Sequence, residues 1–212
     1  MGLRTRRLLS AKVRSILLIT TLGNRPPYNF FTLKVVGILL AGGKSKRFGS
    51  DKRFAVYGGK TFIERCLETL TRCFDEVYIS AERGFKYDNF PIIEDYENHM
   101  GPLFAIMGVM ERVKSEGFVF TTVDMPFVSD KTLKFLKDCL ESYPLVCLDV
   151  DGNLSFPIGI RGECLFRLKG WVLNGEKSLF KILQGEGVKA IKVNKNLEFM
   201  NINTPEDLRA IL

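Results

Sequence analysis

Apolar and polar residues fall along this chain in two kinds of block. Val35-Val36-Gly37-Ile38-Leu39-Leu40 is a continuous apolar run bounded downstream by glycines, the pattern of a strand covered on both faces. Shorter blocks of the same kind stand at 76–80, 91–93, 118–123, 145–149, 154–160 and 188–193. Between them the apolar period lengthens to three and four. Phe62, Cys66, Leu70 and Cys73 form one such stripe, and Leu103, Ile106 or Met107, Met110 and Val113 a second. Similar patterns cover 130–140, 163–172 and 178–184. Thr61 with Glu64 has the spacing of a capping box, Gly101-Pro102 opens a helix, and Thr204-Pro205-Glu206-Asp207 opens another. Asp151-Gly152-Asn153 marks a tight turn. Strands alternating with helices predict a three-layer α/β/α arrangement around a mainly parallel sheet. Ligands of such sheets sit outside the carboxyl ends of the strands, which would gather the 41–52 loop, Ser80, Asp95 and Asp124 at one place.

The segment after the first strand carries the sharpest chemical signal. Gly42 and Gly43 let backbone N–H groups approach a ligand, and Lys44, Lys46, Arg47 and Lys52 bring positive charge to the same loop. That combination suits a polyphosphate. It is not the ATPase phosphate loop, because Gly-x-x-x-x-Gly-Lys-Ser would need glycine where Ile38 stands. The dinucleotide fingerprint Gly-x-Gly-x-x-Gly is absent too. Asp124 ends a strongly apolar strand in Val-Asp-Met-Pro, where packing gives no reason for a carboxylate. Mg²⁺ takes one or two carboxylates and completes its shell with water and phosphate oxygens, so Asp124 is a candidate metal ligand. A capping aspartate is the plainer alternative. For Asp95, the alternative is a solvated loop acid.

Composition changes the picture in two places. The formal charge of +7 invites a nucleic-acid reading, but seven of the 31 cations lie in residues 1–34, which hold no acid. The other 24 balance the 24 acids, so the body offers no basic face and no nucleic-acid partner is expected. Residues 1–33 are expected to form a basic extension outside the fold, with residues 34–212 as the folded domain. The apolar stretch of the extension, Ile16-Leu17-Leu18-Ile19, is too short for a signal peptide, and no stretch approaches a membrane span. The five cysteines form no Cys-x-x-Cys and His99 is the only histidine, which argues against a zinc site and suits a reducing cytoplasm.

Taken whole, Leu-Ala-Gly-Gly-x-Ser-x-Arg-Phe-Gly-x-Asp-Lys at 40–52 resembles the signature of the nucleotidyltransferases, which share a Rossmann-like fold. More narrowly it is similar to the molybdenum cofactor guanylyltransferases, and the resemblance runs from 35 to 212. It implies that Leu40, Ala41, Gly42, Gly43, Lys52, Ser80, Asp95 and Asp124 bind GTP, and that Arg47, Lys52 and Asp124 act in catalysis. It implies Mg²⁺ on Asp124, and Asn201 and Asn203 on the pterin side. The implied reaction moves GMP from GTP to the phosphate of molybdenum-bound molybdopterin, releasing pyrophosphate, with cofactor-delivery proteins as candidate partners. Family members often show Asn where Ser80 stands, which leaves that contact open. A cytidylyl or sugar-phosphate nucleotidyltransferase, or a non-catalytic nucleotide sensor, stands as the alternative.

Overall fold

The computed structural model describes residues 33–43, 47–96 and 101–211. The extension up to Thr32, the loop cations Lys44 and Lys46, and His99 lie outside the described residues. The elements follow the order that the pattern predicts. Strand β1 (Val35–Leu40) is buried along its whole length. A short hairpin, β2 (Val56–Tyr57) and β3 (Lys60–Thr61), turns through Gly58 and Gly59, both with positive φ. Lys52–Phe54 before the hairpin winds into one 3-10 turn. Helix α1 (Phe62–Thr71) starts at the expected capping box, with Thr61 and Glu64 bonding each other reciprocally. Strands β4 (Val77–Ala81) and β5 (Ile92–Glu94) follow. Next come α2 (Pro102–Arg112), β6 (Gly117–Thr122) and α3 (Asp130–Cys139). Strands β7 (Leu145–Val150) and β8 (Asn153–Arg161) precede α4 (Leu165–Leu173), α5 (Leu179–Gly185), β9 (Lys189–Val193) and α6 (Pro205–Arg209).

The seven-stranded sheet runs β5-β4-β1-β6-β8-β7-β9, and every pairing is parallel except those of β8. Strict strand–helix alternation fails at β7 and β8. Asp151 and Gly152 both adopt positive φ, so the chain doubles back as a hairpin and inserts β8 between β6 and β7. The register of β7 on β8 jumps from Cys147↔Ile158 to Leu148↔Ser155, and the antiparallel pairing of β8 with β6 runs Phe156 toward the carboxyl end of β6. The core joins both faces of the sheet, with Ile38, Leu39, Phe118 and Phe120 at its centre. Cys66, Cys73, Cys147 and Cys164 are buried, and no cysteine is in a disulfide. No helix among the described residues is long and apolar enough to cross a membrane.

Candidate active site

Because β1, β4, β5 and β6 are parallel, their carboxyl ends open on the same edge of the sheet. The chain keeps that edge tight just beyond the strands. Ala41 N–H donates to the Ser80 carbonyl at 2.8 Å, Asp95 N–H to Ala81 at 2.8 Å, and Val123 N–H to Leu40 at 3.1 Å. A cavity of about 450 Å³ lies over these ends, a size suited to a small-molecule ligand. Leu40, Gly42, Gly43, Lys52, Ser80, Asp95, Asp124 and Asn201 all line it.

At the β4–β5 end, the buried Ser80 hydroxyl donates to Asp95 Oδ1 at 2.7 Å, which fixes the carboxylate's direction. Gly42 passes so close that an added Cβ would meet Asp95 Oδ2 at 2.6 Å, so only glycine leaves this carboxylate its place. At the β6 end, Asp124 accepts from the Thr122 hydroxyl and from Lys52 Nζ, the latter at 3.1 Å. Lys52 Nζ also reaches Asn203 Oδ1 at 3.4 Å. The segment holding that asparagine is tied down on both sides. Ile202 N–H donates to the Asp124 carbonyl at 2.8 Å, while Asp207 accepts from Asn203 N–H at 2.8 Å and Thr204 N–H at 2.9 Å. The Asn203 and Thr204 amides, with the nearby Arg47 charge, hold the Asp207 carboxyl below its ordinary range.

The structure therefore joins Lys52, Asp124 and Asn203 in one cluster and carries Asn201 to the rim of the cavity. It does not bring Arg47 there. Arg47 is exposed and is not among the lining residues, and Ala41 is buried beneath the loop rather than facing the space. Cys66 lies under the Thr122 carbonyl, Sγ to O 3.9 Å; burial and then the Asp124 charge push its thiol up, so it is a core residue and no nucleophile.

Several lining residues escaped the sequence. Glu82 lies two positions beyond Ser80, and the period-two alternation of a strand puts it on the same face. That signal was available. Phe104, Tyr96 and Phe156 add an aromatic wall, with Phe156 braced edge-on by Phe180 at 6.0 Å. Nothing local in the sequence places Phe156, because it reaches the cavity through the antiparallel pairing of β8 with β6.

For a divalent cation, no cluster of three or more His, Cys, Asp or Glu side chains exists among the described residues. One carboxylate suffices for an ion that takes its remaining ligands from phosphate and water. Asp124, oriented by Thr122 and facing the cavity, meets that requirement.

Residues 37–190 match the family model described as MobA-like NTP transferase domain. A protein of Geobacillus sp. named probable molybdenum cofactor guanylyltransferase is 31% identical over 84% of this chain and 98% of its own length. The molybdenum cofactor guanylyltransferase of Haemophilus influenzae is 27% identical over 84% of this chain and 97% of its own. Among solved structures, molybdopterin-guanine dinucleotide biosynthesis protein A from Archaeoglobus fulgidus superposes with a TM-score of 0.66 at 20% identity. That match covers 82% of this chain and 95% of the other, and at this identity it carries the fold.

Proposed function

The chain belongs to the MobA-like NTP transferase family, and from that premise we propose that it transfers GMP from GTP to the terminal phosphate of molybdenum-bound molybdopterin. An oxygen of the acceptor phosphate bonds to the α-phosphorus of GTP as the bond to the bridging oxygen breaks, and pyrophosphate leaves. The observation that carries the reading is the cluster of Lys52, Asp124 and Asn203 beside the glycine loop.

The chemistry asks little of the protein beyond placement. A phosphate monoester is already an anion near neutral pH, so no side chain has to take its proton. What remains is alignment and stabilisation of charge. Backbone groups of Leu40–Gly43, with Ser80 and Asp95, hold the nucleoside. Lys52 stands between Asp124 and Asn203, where one ammonium can draw donor and acceptor phosphates together. Arg47, whose charge acts on Asp207, would draw incoming phosphates from outside the cavity lining. Asn201 and Asn203 present amides toward the acceptor side, and the capping bonds of Asp207 keep Asn203 in place. Asp124 would hold Mg²⁺. When bound, that ion would supply neutralisation of the phosphate charge.

The test supplies GTP, Mg²⁺ and molybdenum-bound molybdopterin to the purified chain and measures pyrophosphate together with the dinucleotide product. Pyrophosphate release that requires the pterin is the expected result. Release with CTP in place of GTP, or with a sugar phosphate in place of the pterin, would overturn this reading.

A further inference from the structure

Arg53 is the only charged side chain that is buried among the described residues, at 9% exposure. It does not line the cavity, yet all five of its N–H donors are committed around it. Nε donates to the two oxygens of Asp51 at 2.9 and 3.0 Å. Nη2 reaches Asp51 Oδ2 at 2.6 Å and Glu82 Oε1 at 2.8 Å. Nη1 reaches Glu82 Oε2 at 2.9 Å and the Ala41 carbonyl at 3.4 Å. The guanidinium lies over the Phe85 ring, 4.1 Å from its centroid. One planar group thus fastens the start of the glycine loop (Ala41) and its end (Asp51) to Glu82, just past β4. Glu82 does line the cavity, and without Arg53 it would set an uncompensated carboxylate beside a polyphosphate.

We propose that Arg53 is a positioning residue for the nucleotide. It holds both ends of the 41–51 loop against the exit of β4 and cancels the Glu82 charge on the cavity wall. This rests on the reading of the cavity as the GTP site. Lysine could not replace it, because a single ammonium offers a point charge in place of a five-donor fork.

The experiment measures the GTP dissociation constant calorimetrically in the presence of Mg²⁺, beside the melting temperature, for wild type, Arg53→Met, Arg53→Lys and Arg53→Met/Glu82→Gln. Arg53→Met is expected to weaken GTP about 10- to 100-fold, the scale of a lost charged hydrogen-bond network. Adding Glu82→Gln should recover part of that loss, because the repelling charge is gone while the loop ends stay untied, and Arg53→Lys should fall between wild type and Arg53→Met. A purely structural arginine would lower the melting temperature and leave the dissociation constant unchanged. That result, or a second substitution that weakens GTP further, would overturn the proposal. If Arg53→Met does not fold, Arg53→Lys against Arg53→Lys/Glu82→Gln makes the same comparison. A wild type that binds CTP and not GTP would overturn the guanylyl reading alone, and the Arg53 comparison would then be made with CTP.

Discussion

A single methyl group at Gly42 separates the demands of the fold from those of the site. The Cβ of Gly42→Ala would stand 2.6 Å from Asp95 Oδ2, well short of the 3.4 Å at which ordinary contact begins. Asp95 Oδ2 must give way by several tenths of an ångström, which turns the carboxylate away from the direction that Ser80 fixes through Oδ1. The fold itself loses little, since the yielding atom is the tip of a side chain. Gly42 does not have positive φ, so alanine fits the backbone. There it narrows the unfolded ensemble, a gain of about 0.4–1 kcal/mol. The nucleotide loses what Asp95 contributes. A hydrogen bond to a charged group is worth about 1.5–3 kcal/mol, equivalent to roughly 10- to 100-fold in affinity. Differential scanning calorimetry should therefore find an unchanged or slightly higher melting temperature, while titration with GTP and Mg²⁺ finds the weaker dissociation constant. An unchanged dissociation constant in the folded variant would show that Asp95 does not hold the nucleotide.

Other substitutions probe the rest of the cluster. Asp124→Asn keeps the shape and loses the anion; pyrophosphate release should fall on the order of 10²–10³ with the melting temperature preserved, and near-normal turnover would end its role as metal ligand. Asp207→Ala removes the acceptor that holds the Asn203 and Thr204 amides, so the KM for the pterin should rise while GTP affinity in calorimetry stays put. Guanine offers N1–H and an exocyclic amine as donors. GTP should therefore raise the melting temperature more than CTP, ATP or UTP at equal concentration, a ranking that CTP would reverse in a cytidylyl enzyme. Chelating divalent cations should abolish turnover and weaken GTP measurably, with Mg²⁺ restoring both.

Much of the fold was legible because its signals are local. The apolar block at 35–40, the Thr61 and Glu64 capping pair and the Gly101-Pro102 opening each act within a few residues, and each element begins where they put it. The position of β8 was not legible. A central strand is apolar whether its neighbours run with it or against it, so only the tight turn at Asp151-Gly152 hinted at the reversal. In the site, Lys52 and Arg53 look alike as neighbouring cations. The 3-10 turn at Lys52–Phe54 rotates successive side chains by about a third of a turn, sending Lys52 to Asp124 and Arg53 inward to Glu82. Arg47 shows the opposite failure. Its place in the motif suggested convergence on the phosphates, but it is exposed, does not line the cavity, and its charge acts on Asp207.

These placements put three carboxylates and one ammonium on the described wall of the cavity. Among the described residues, Glu82, Asp95 and Asp124 line it with carboxylates, and Lys52 is the cation that lines it. Arg53 is already committed to Glu82 and Asp51, and Lys52 to Asp124. Like charges about 4 Å apart repel by roughly 4 kcal/mol at the effective dielectric of a protein surface. A triphosphate entering against these three acids gains from any positive charge that travels with it. A divalent cation would supply such charge, and on the proposed reading Asp124 at the end of β6 is its landing point. The same reasoning gives the three acids different duties. On the proposed reading Glu82 would be neutralised by the Arg53 guanidinium, Asp95, fixed by a serine hydroxyl, would accept hydrogen bonds from the nucleotide, and Asp124 beside Lys52 would hold the metal. One sign of charge thus serves three purposes, and the partner behind each carboxylate determines which.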